Sequence, residues 1–489
     1  MELHAGEAVI RVLALPSATS LPAAGTLVLW AVVAFAATLA MALAMRRREE
    51  AFPLLAVFAL PFRVPISADN KTVNLLIPLY LVVAAGTLVH LLLPLLRGPR
   101  RGRSLSAPGE PLEWRRLSFW SSPRGLEMIL FGAVALYAVQ AIYSGDHARA
   151  AENVAFFYVP FALLFVLLRR VRWSRQLLLL CLAVTVVLAA LFAGIGFIEY
   201  ARKSLFLNPK VVAANQYDNY FRVNSLFFDP NIYGRFLALV MIAVTTLVLW
   251  GSRRREILAG TAVLAWLLAG LVTSFSQSSI AALLLGMAVL AAYRWDARAT
   301  VYSSLGLLAL ALAIVLLAPA SLHFGLKGSG GSTSNATSGR SKLISGGLDL
   351  FARRPLQGFG SGSFEVEYKR HTNATAENAT SASHTIPVTV AAEQGLPGLV
   401  VYVALLLSAL FVLFRRAGRS PPRIALAACF VALVLHTWAY ADFLEDPFTW
   451  AILAIGVALA RQERHDRLAR GADTAPAREE GTPAPRGAG

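Results

Sequence analysis

A polar stretch, residues 320–384, interrupts a chain that is otherwise built from long apolar segments. Its basic side chains are Arg340, Arg353, Arg354, Lys369 and Arg370, and it ends on His384. Guanidinium groups stay protonated at any working pH and match phosphate oxygens in a bidentate geometry. A neutral imidazole accepts a proton with little mismatch near pH 7. We therefore expect the chemistry of this protein to lie in this stretch.

The elements that must position these residues are membrane helices. Hydrophobic residues make up 57% of the chain and charged residues 15%, and segments such as 177–198 and 301–317 contain no charge. A helix needs about 20 apolar residues to cross a bilayer. The candidate spans are 24–45, 51–66, 73–96, 125–144, 151–168, 176–198, 232–250, 256–273, 278–293, 300–319, 386–414, 424–440 and 446–460.

Arginine clusters divide the connections between these spans into two kinds, because basic connections tend to stay in the cytoplasm. The basic connections are Arg46 to Arg48, 97–116, 169–172, 253–255, 294–298, 415–423 and the segment from Arg461. The connections expected on the outer face are 67–72, 145–150, 199–231, 274–277, 320–385 and 441–445. Long loops cross the membrane largely regardless of charge, so the basic residues in 199–231 and 320–385 do not overturn this topology.

The predicted fold class is an all-α polytopic membrane protein with about 12 or 13 transmembrane helices. The lower number applies if the short, proline-containing segment 51–66 re-enters the membrane instead of crossing it. Membrane helices with short loops occupy 1–319, and the outer loop 199–231 is part of this region. The large extracytoplasmic loop, 320–385, should carry short helices, for instance over 342–351. The last membrane helices occupy 386–461, and 462–489 has the composition of a disordered cytoplasmic tail.

Composition also argues against two other classes of function. The formal net charge of +17 would suit nucleic acid, but most arginines stand between spans, where they set topology and contact anionic lipid. We therefore expect a lipid bilayer and no nucleic acid among the partners. The two cysteines, Cys181 and Cys429, lie in apolar runs, which argues against a disulfide framework or a thiolate metal site.

Four local patterns follow one another along the chain. The first, 221–231, brings Arg222 to the outer end of a helix and offers Asp229 as an N-cap. The second is the hydroxyl-rich turn, residues 273–279. The third runs from Ser338 through Arg340 to the glycine-rich loop, residues 357–363. The fourth contains His384 and leads into residues 392–399. Each pattern is weak when taken singly.

Together, and in this order, the patterns resemble the O-antigen ligase and polymerase superfamily of bacterial envelope glycosyltransferases. The resemblance covers roughly residues 222–413 and implies a fold of the GT-C type in the plasma (inner) membrane. It implies transfer of a glycan from an undecaprenyl-pyrophosphate carrier to an acceptor hydroxyl on a glycan, lipid or protein, at the extracytoplasmic side. It implies no cofactor, metal or nucleotide sugar. Direct attack by the acceptor would invert the anomeric centre.

The same resemblance assigns residues. Arg222 and Arg340 match the family's two arginines that bind the donor pyrophosphate, and His384 matches the histidine that activates the acceptor. The family usually has asparagine directly after that histidine, whereas this chain has Thr385. Thr385 and Glu393 are candidates for a supporting role.

Several of these residues also have plain structural interpretations. An arginine in an outer loop can be solvated surface or a contact to lipid phosphate, and Glu393 can be a helix-end carboxylate. The glycine-rich loop lacks the Walker spacing and is better interpreted as a turn. His436 lies within a span, where we expect it packed or hydrogen-bonded, with a cavity as the alternative.

The function has alternatives too. A polysaccharide polymerase or a protein O-oligosaccharyltransferase would share the superfamily's features, and ligase is favoured because the large loop precedes the last two or three spans. A lipid-linked glycan flippase would also be polytopic and basic outside. Transporters usually show internal repeats or ionisable groups at mid-membrane, whereas the spans of this chain are nearly free of charge and show no repeat.

Overall fold

The computed structural model describes residues 24–68, 71–96, 122–206, 221–303, 306, 334–372, 383 and 385–473. Its helices are α1 (Ala24–Arg47), α2 (Ala51–Ala59), α3 (Ile77–Leu96), α4 (Pro123–Tyr143), α5 (His147–Leu168), α6 (Arg175–Arg202), α7 (Pro230–Trp250), α8 (Arg254–Thr273), α9 (Gln277–Arg294), α10 (Ser334–Arg353), α11 (Phe364–Thr372), α12 (Ile386–Phe414), α13 (Pro421–Ala439) and α14 (Pro447–Asp473). Strands β1 (Val64–Ala68) and β2 (Lys71–Leu75) form an antiparallel hairpin in which Val64 lies opposite Leu75. The predicted all-α polytopic class is confirmed, with this hairpin as an addition that the sequence did not indicate.

Ten helices of the described residues are long and apolar enough to cross a membrane, namely α1, α3 to α9, α12 and α13. The prediction of a span over 51–66 is wrong, because α2 has nine residues and leads into the hairpin. The prediction of a span over 300–319 falls mostly outside the described residues. Helix α14 covers the predicted span 446–460 and continues to Asp473. Residues 462–473 are therefore helical, whereas the sequence indicated a disordered tail from 462.

Helix α7 is the most deeply buried of the ten and packs against α8, α9 and α13. Tyr233 and Phe236 of this helix are almost fully enclosed. Small residues allow the helices to approach: a Cβ added to Gly270 of α8 would lie 2.9 Å from the Cβ of Ala193 in α6. Such crossings agree with the expectation that alanine, glycine and serine surfaces hold the bundle together.

The connections predicted to face outward contact one another. The backbone N–H of Gly145 donates to the carbonyl of Phe359 (3.3 Å), and that of Val223 donates to the carbonyl of Thr273 (3.2 Å). Asn153 at the start of α5 donates its amide to Glu445, which lies just before α14 (3.1 Å). The connections predicted to face outward therefore lie together at one end of the bundle, here called the outer end.

The basic connections gather at the other end. Glu127 of α4 pairs with Arg169 and with Arg461. Arg423, which is almost fully buried, donates from Nη2 to the carbonyl oxygens of Val412 (2.9 Å) and Arg415 (2.8 Å). These carbonyls belong to the C-terminal end of α12, which has no helical donors left for them. The Nη1 of Arg423 also reaches Glu463 of α14 at 2.9 Å, so one side chain joins α12, α13 and α14.

Helix α12 is broken near its outer end. Gly395 has φ 64° and ψ −160°, which is outside the helical region, and Pro397 follows two residues later. Proline removes a backbone donor, and glycine adopts positive φ without steric cost. The break leaves residues 386–394 as a separate short segment that can turn toward the glycine-rich loop.

Replacing Arg423 with alanine should lower the free energy of unfolding by about 2 to 3 kcal/mol, because charged donors are lost from buried carbonyls and Glu463 loses its partner. Thermal unfolding of the purified protein in detergent measures this change. Arg419→Ala removes an exposed arginine from the same connection and should shift stability by less than about 0.5 kcal/mol. Equal melting temperatures for the two variants would contradict the role of Arg423.

Candidate functional site

Arg222 lies in the outer loop just before α7, and its guanidinium is held by two neighbours. Its Nε donates to the carbonyl of Ser274 at 3.2 Å, and its Nη2 donates to Oδ1 of Asn231 at 3.3 Å. The adjacent Val223 is tied by its backbone to Thr273. The first and second sequence patterns, which are far apart in the chain, therefore form one local structure.

Two helix N-termini meet beside this arginine. Asp229 caps α7 by accepting the N–H of Asn231 at 2.6 Å, as the sequence predicted. Ser276 caps α9 by accepting the N–H of Ser279. Helix N-termini carry partial positive charge and unpaired N–H groups. A guanidinium placed between two of them creates a local environment that favours an anion.

The hydroxyl-rich turn connects this arginine to α13. Ser276 donates its hydroxyl to Oδ1 of Asn231 at 2.9 Å, and it lies 3.3 Å from the hydroxyl of Ser278. The Ser278 hydroxyl in turn lies 3.3 Å from Nε2 of His436. His436 is fully buried, so the prediction that it is packed and hydrogen-bonded is confirmed.

The predicted catalytic residue, His384, lies outside the described residues, but both of its neighbours are described. Ser383 is buried, and its hydroxyl lies 3.0 Å from that of Thr389 in α12. Thr385 donates its hydroxyl to the carbonyl of Trp438, 3.2 Å away. Trp438 is two residues beyond His436 in the last turn of α13. The chain on either side of residue 384 is thus anchored at the outer end, where the hydroxyl-rich turn meets α13.

The predicted second arginine, Arg340, is part of α10, and its side chain lies outside the described side chains. Helix α10 confirms the expectation of a helix around 342–351 in the large loop. It packs on α12: a Cβ added to Gly347 would lie 2.6 Å from Cγ1 of Val388. A small core of its own joins α10, α11 and the glycine-rich loop to α12, consisting of Leu343, Leu350, Phe359, Phe364, Tyr368 and Ala392.

The glycine-rich loop is a turn, as predicted. Gly358, Gly360 and Gly362 have φ values of 67°, 95° and 73°, which only glycine adopts readily. A Cβ on Gly360 would collide with the backbone of Ser144, and one on Gly358 would collide with that of Glu393. Close approach of backbone to backbone therefore explains these glycines, and it fixes the loop between α4 and α12.

Glu393 holds this loop in place. It is buried in α12, and its two carboxylate oxygens accept the N–H groups of Gly362 (2.8 Å) and Phe364 (3.0 Å). Phe364 is the first residue of α11, so the carboxylate also satisfies a helix N-terminus. The geometry makes Glu393 a positioning group for the large loop, in agreement with its interpretation as a helix-end carboxylate.

Sequence reasoning missed two buried polar groupings at the outer end. Arg235, one turn inside α7, pairs with Asp446 at 2.8 Å, and both side chains are nearly inaccessible. The signal was present, since Arg235 is a lone charge inside the predicted span 232–250. Such a pair is retained only where both charges are compensated, so it ties α7 firmly to the start of α14.

The second missed grouping surrounds Glu445. Its Oε1 accepts from Asn153, whose Nδ2 also donates to the hydroxyl of Tyr137 at 2.7 Å. The pKa of Glu445 is raised to about 7, first by burial and then by the Asp442 carboxylate, although Arg149 opposes the shift. Nothing in the local sequence around residue 445 indicated such partners, because they come from α4 and α5.

Replacing Glu393 with glutamine should loosen the glycine-rich loop, because one of the two backbone N–H groups then faces an amide donor. The expected cost is about 1 to 3 kcal/mol, the range for a buried unsatisfied group. Hydrogen exchange followed by mass spectrometry should show faster exchange over residues 358–366. Glu365→Gln is the matched control, because that carboxylate lies on α11 and its partner within the described part of the chain is Lys369 of the same helix. Unchanged protection in Glu393→Gln would contradict the positioning role.

Part of the chain is similar to a known protein family. Residues 262–403 match the sequence model of a family described as O-antigen ligase. The matched segment includes the hydroxyl-rich turn, α10, the glycine-rich loop and Glu393, while Arg222 precedes it. No curated protein matches the chain. The match covers less than a third of the chain and agrees with the resemblance seen in the sequence: residues 262–403 are similar to that family, in a chain of the all-α polytopic membrane class.

Proposed function

We propose that this protein is an inverting glycosyltransferase that moves a glycan from an undecaprenyl-pyrophosphate carrier to an acceptor hydroxyl. The reaction takes place at the outer face of the plasma membrane and needs neither a metal ion nor a nucleotide sugar. The observation that carries the proposal is the position of Arg222 at the outer end. Its guanidinium donates to Asn231 in the first turn of α7 and to the carbonyl of Ser274, the C-cap of α8, two residues before the N-cap of α9.

A diphosphate leaving group explains this arrangement of charge. As the bond between the anomeric carbon and the diphosphate breaks, negative charge develops on the leaving oxygen. The Arg222 guanidinium and the two helix N-termini stabilise that charge in a site of low dielectric, where such interactions are strongest. Arg340 of α10 is the second guanidinium of the proposal, brought by the large loop that Glu393 and the glycine-rich loop anchor.

His384 is the general base of the proposal. The acceptor oxygen attacks the anomeric carbon from the face opposite the diphosphate, and His384 takes the hydroxyl proton. The products are the inverted glycoside and undecaprenyl pyrophosphate. The anchoring of Ser383 and Thr385 on either side supports this role, because a base must be held in a fixed orientation. Thr385 gives its hydroxyl to Trp438 and thus contributes to that anchoring.

The membrane face follows from charge. The connections at the end opposite Arg222 carry the arginine clusters, including Arg169, Arg423 and Arg461. Basic connections tend to stay in the cytoplasm, which supports an outward position for the end that holds Arg222 and Thr385. A carrier lipid in the outer leaflet could then present its diphosphate to the site while its chain remains in the bilayer.

Removing either arginine should impair the donor step. Purified protein in nanodiscs, given a synthetic undecaprenyl-pyrophosphate glycan and an acceptor in the presence of EDTA, should release undecaprenyl pyrophosphate. Arg222→Ala and Arg340→Ala should each lower kcat/KM for the donor. The expected fall corresponds to a loss of about 2 to 4 kcal/mol of transition-state stabilisation, by analogy with oxyanion-hole deletions. Arg202→Ala, an exposed arginine at the outer end of α6, should behave as wild type. Product that forms only with added metal or a nucleotide sugar would refute the proposal, and a flippase would release none.

Replacing His384 with alanine should abolish turnover while donor binding stays nearly unchanged, because the base acts on the acceptor and not on the diphosphate. Initial rates and the equilibrium binding of undecaprenyl pyrophosphate separate the two effects. His371→Ala is the control, since His371 lies in the same loop and its Nδ1 faces a carbonyl of its own helix. Turnover that survives in His384→Ala would exclude the histidine as the base.

A further inference from the structure

The hydroxyl-rich turn still lacks a role, although it places many polar groups inside the bundle. Ser274, Ser276, Ser279 and His436 are all fully buried. Burying a hydroxyl or an imidazole costs free energy unless it is hydrogen-bonded. A cluster of four at one place therefore needs an explanation beyond packing.

The contacts form one continuous chain from His436 to Arg222. The successive distances are 3.3 Å from Nε2 of His436 to the Ser278 hydroxyl, 3.3 Å to the Ser276 hydroxyl, 2.9 Å to Oδ1 of Asn231 and 3.3 Å to Nη2 of Arg222. Arg222 can only donate, so Oδ1 of Asn231 must accept at that end. Among the described residues, His436 Nδ1 has no hydrogen-bond partner.

These facts indicate which group donates in each hydrogen bond of this series. A buried N–H without an acceptor is rarer than a buried acceptor without a donor. The favoured tautomer of His436 therefore carries its proton on Nε2 and donates to Ser278. Ser278 then donates to Ser276, and Ser276 donates to Asn231. Every hydroxyl proton points toward the Asn231 amide oxygen, which also accepts from Arg222.

The helices are built to permit this chain. Gly234 of α7 faces the turn, and a Cβ there would lie 2.7 Å from the Ser279 hydroxyl and 3.0 Å from Cβ of Ser276. Only glycine lets α7 approach α9 this closely. The Ser279 hydroxyl lies 2.7 Å from that of Ser276 and 3.2 Å from the backbone carbonyl of Asn231. Because Ser276 gives its proton to Asn231, Ser279 is the donor in the shorter contact and holds Ser276 from a second side.

We propose that His436 is a positioning residue, which orients the guanidinium of Arg222 through Ser278, Ser276 and Asn231 toward the diphosphate of the donor. This inference rests on the proposed function, since it gives Arg222 the donor diphosphate as its ligand. The chain of hydrogen bonds holds Asn231 with its Oδ1 toward Arg222. At its other end lies the imidazole ring of His436, which is buried in α13. In the last turn of α13, the carbonyl of Trp438 also accepts a hydrogen bond from Thr385. The same end of α13 therefore supports the residue next to the proposed base and the chain that leads to the donor site.

The test compares variants of His436 that keep or remove its donor. His436→Leu removes the donor at similar volume and should raise the Kd for undecaprenyl pyrophosphate about fivefold, the effect of one hydrogen bond. His436→Gln retains a donor at similar reach and should stay within about twofold of wild type. Ser278→Ala breaks the next link and should resemble His436→Leu. Binding is measured in nanodiscs, and the melting temperature of each variant reports on folding.

Ser408→Ala is the matched control, because this buried serine of α12 has a hydroxyl without a hydrogen-bond partner among the described residues. Its Kd should equal that of wild type. A further comparison uses Arg222→Ala as the background. If the chain acts through Arg222, His436→Leu should weaken binding no further there, since coupled residues are non-additive.

The outcomes separate this inference from the proposed function. If Arg222→Ala weakens binding but His436→Leu and Ser278→Ala bind as wild type, the positioning role is wrong and the function stands. The positioning role is also wrong if His436→Leu has an equal effect with and without Arg222. If Arg222→Ala itself binds the diphosphate as wild type, the proposed function fails. Should His436→Leu not fold, Ser278→Ala decides alone.

Discussion

Polar groups inside a membrane-spanning bundle find almost no water, so each must be paired with another part of the protein. Two acceptors at the outer end show how this requirement is met. The Asn231 amide oxygen receives Arg222 and Ser276, and the Glu393 carboxylate receives the backbone of Gly362 and Phe364. The first sets the surroundings of a cationic side chain, and the second fixes the large loop. Both lie on helices, which are more rigid supports than loops.

The same requirement explains the way charge is distributed along the bundle. The middles of the helices are apolar and need no specific partners, whereas the ends carry carbonyls, N–H groups and ions that do. Arg423 satisfies the end of α12, and Arg235 with Asp446 ties α7 to α14. The pair of Arg235 and Asp446 joins helices that are distant in sequence. It lies at the outer end, on which a site made of loop residues can be positioned.

The glycines show a related principle. Gly358 and Gly360 let the glycine-rich loop lie directly on the backbones of Glu393 and Ser144, while Gly395 breaks α12 beside them. Gly234 allows α7 to approach the serines of α9. At these places a side chain would separate two backbones that must meet. The large loop is consequently attached to α4 and α12 by backbone contacts, which hold α10 and α11 over the outer end.

By itself, the sequence determined what depends on local pattern: the apolar spans, the two kinds of connection, the Asp229 cap, the turn at the glycines and a helix in the large loop. Hydrophobic length, helix capping and glycine conformation are properties of a few consecutive residues, so they can be predicted from them. The prediction of a span over 51–66 was wrong because the length of an apolar segment does not reveal that a nine-residue helix is followed by a hairpin. Only the tertiary structure decided that His436 would meet Ser278, that Arg235 would meet Asp446, and that Glu393 would hold the glycine-rich loop. Each of these contacts joins residues far apart in the chain. The sequence near one partner can show that a charge such as Arg235 needs a counterpart, but the helix packing alone decides which residue supplies it.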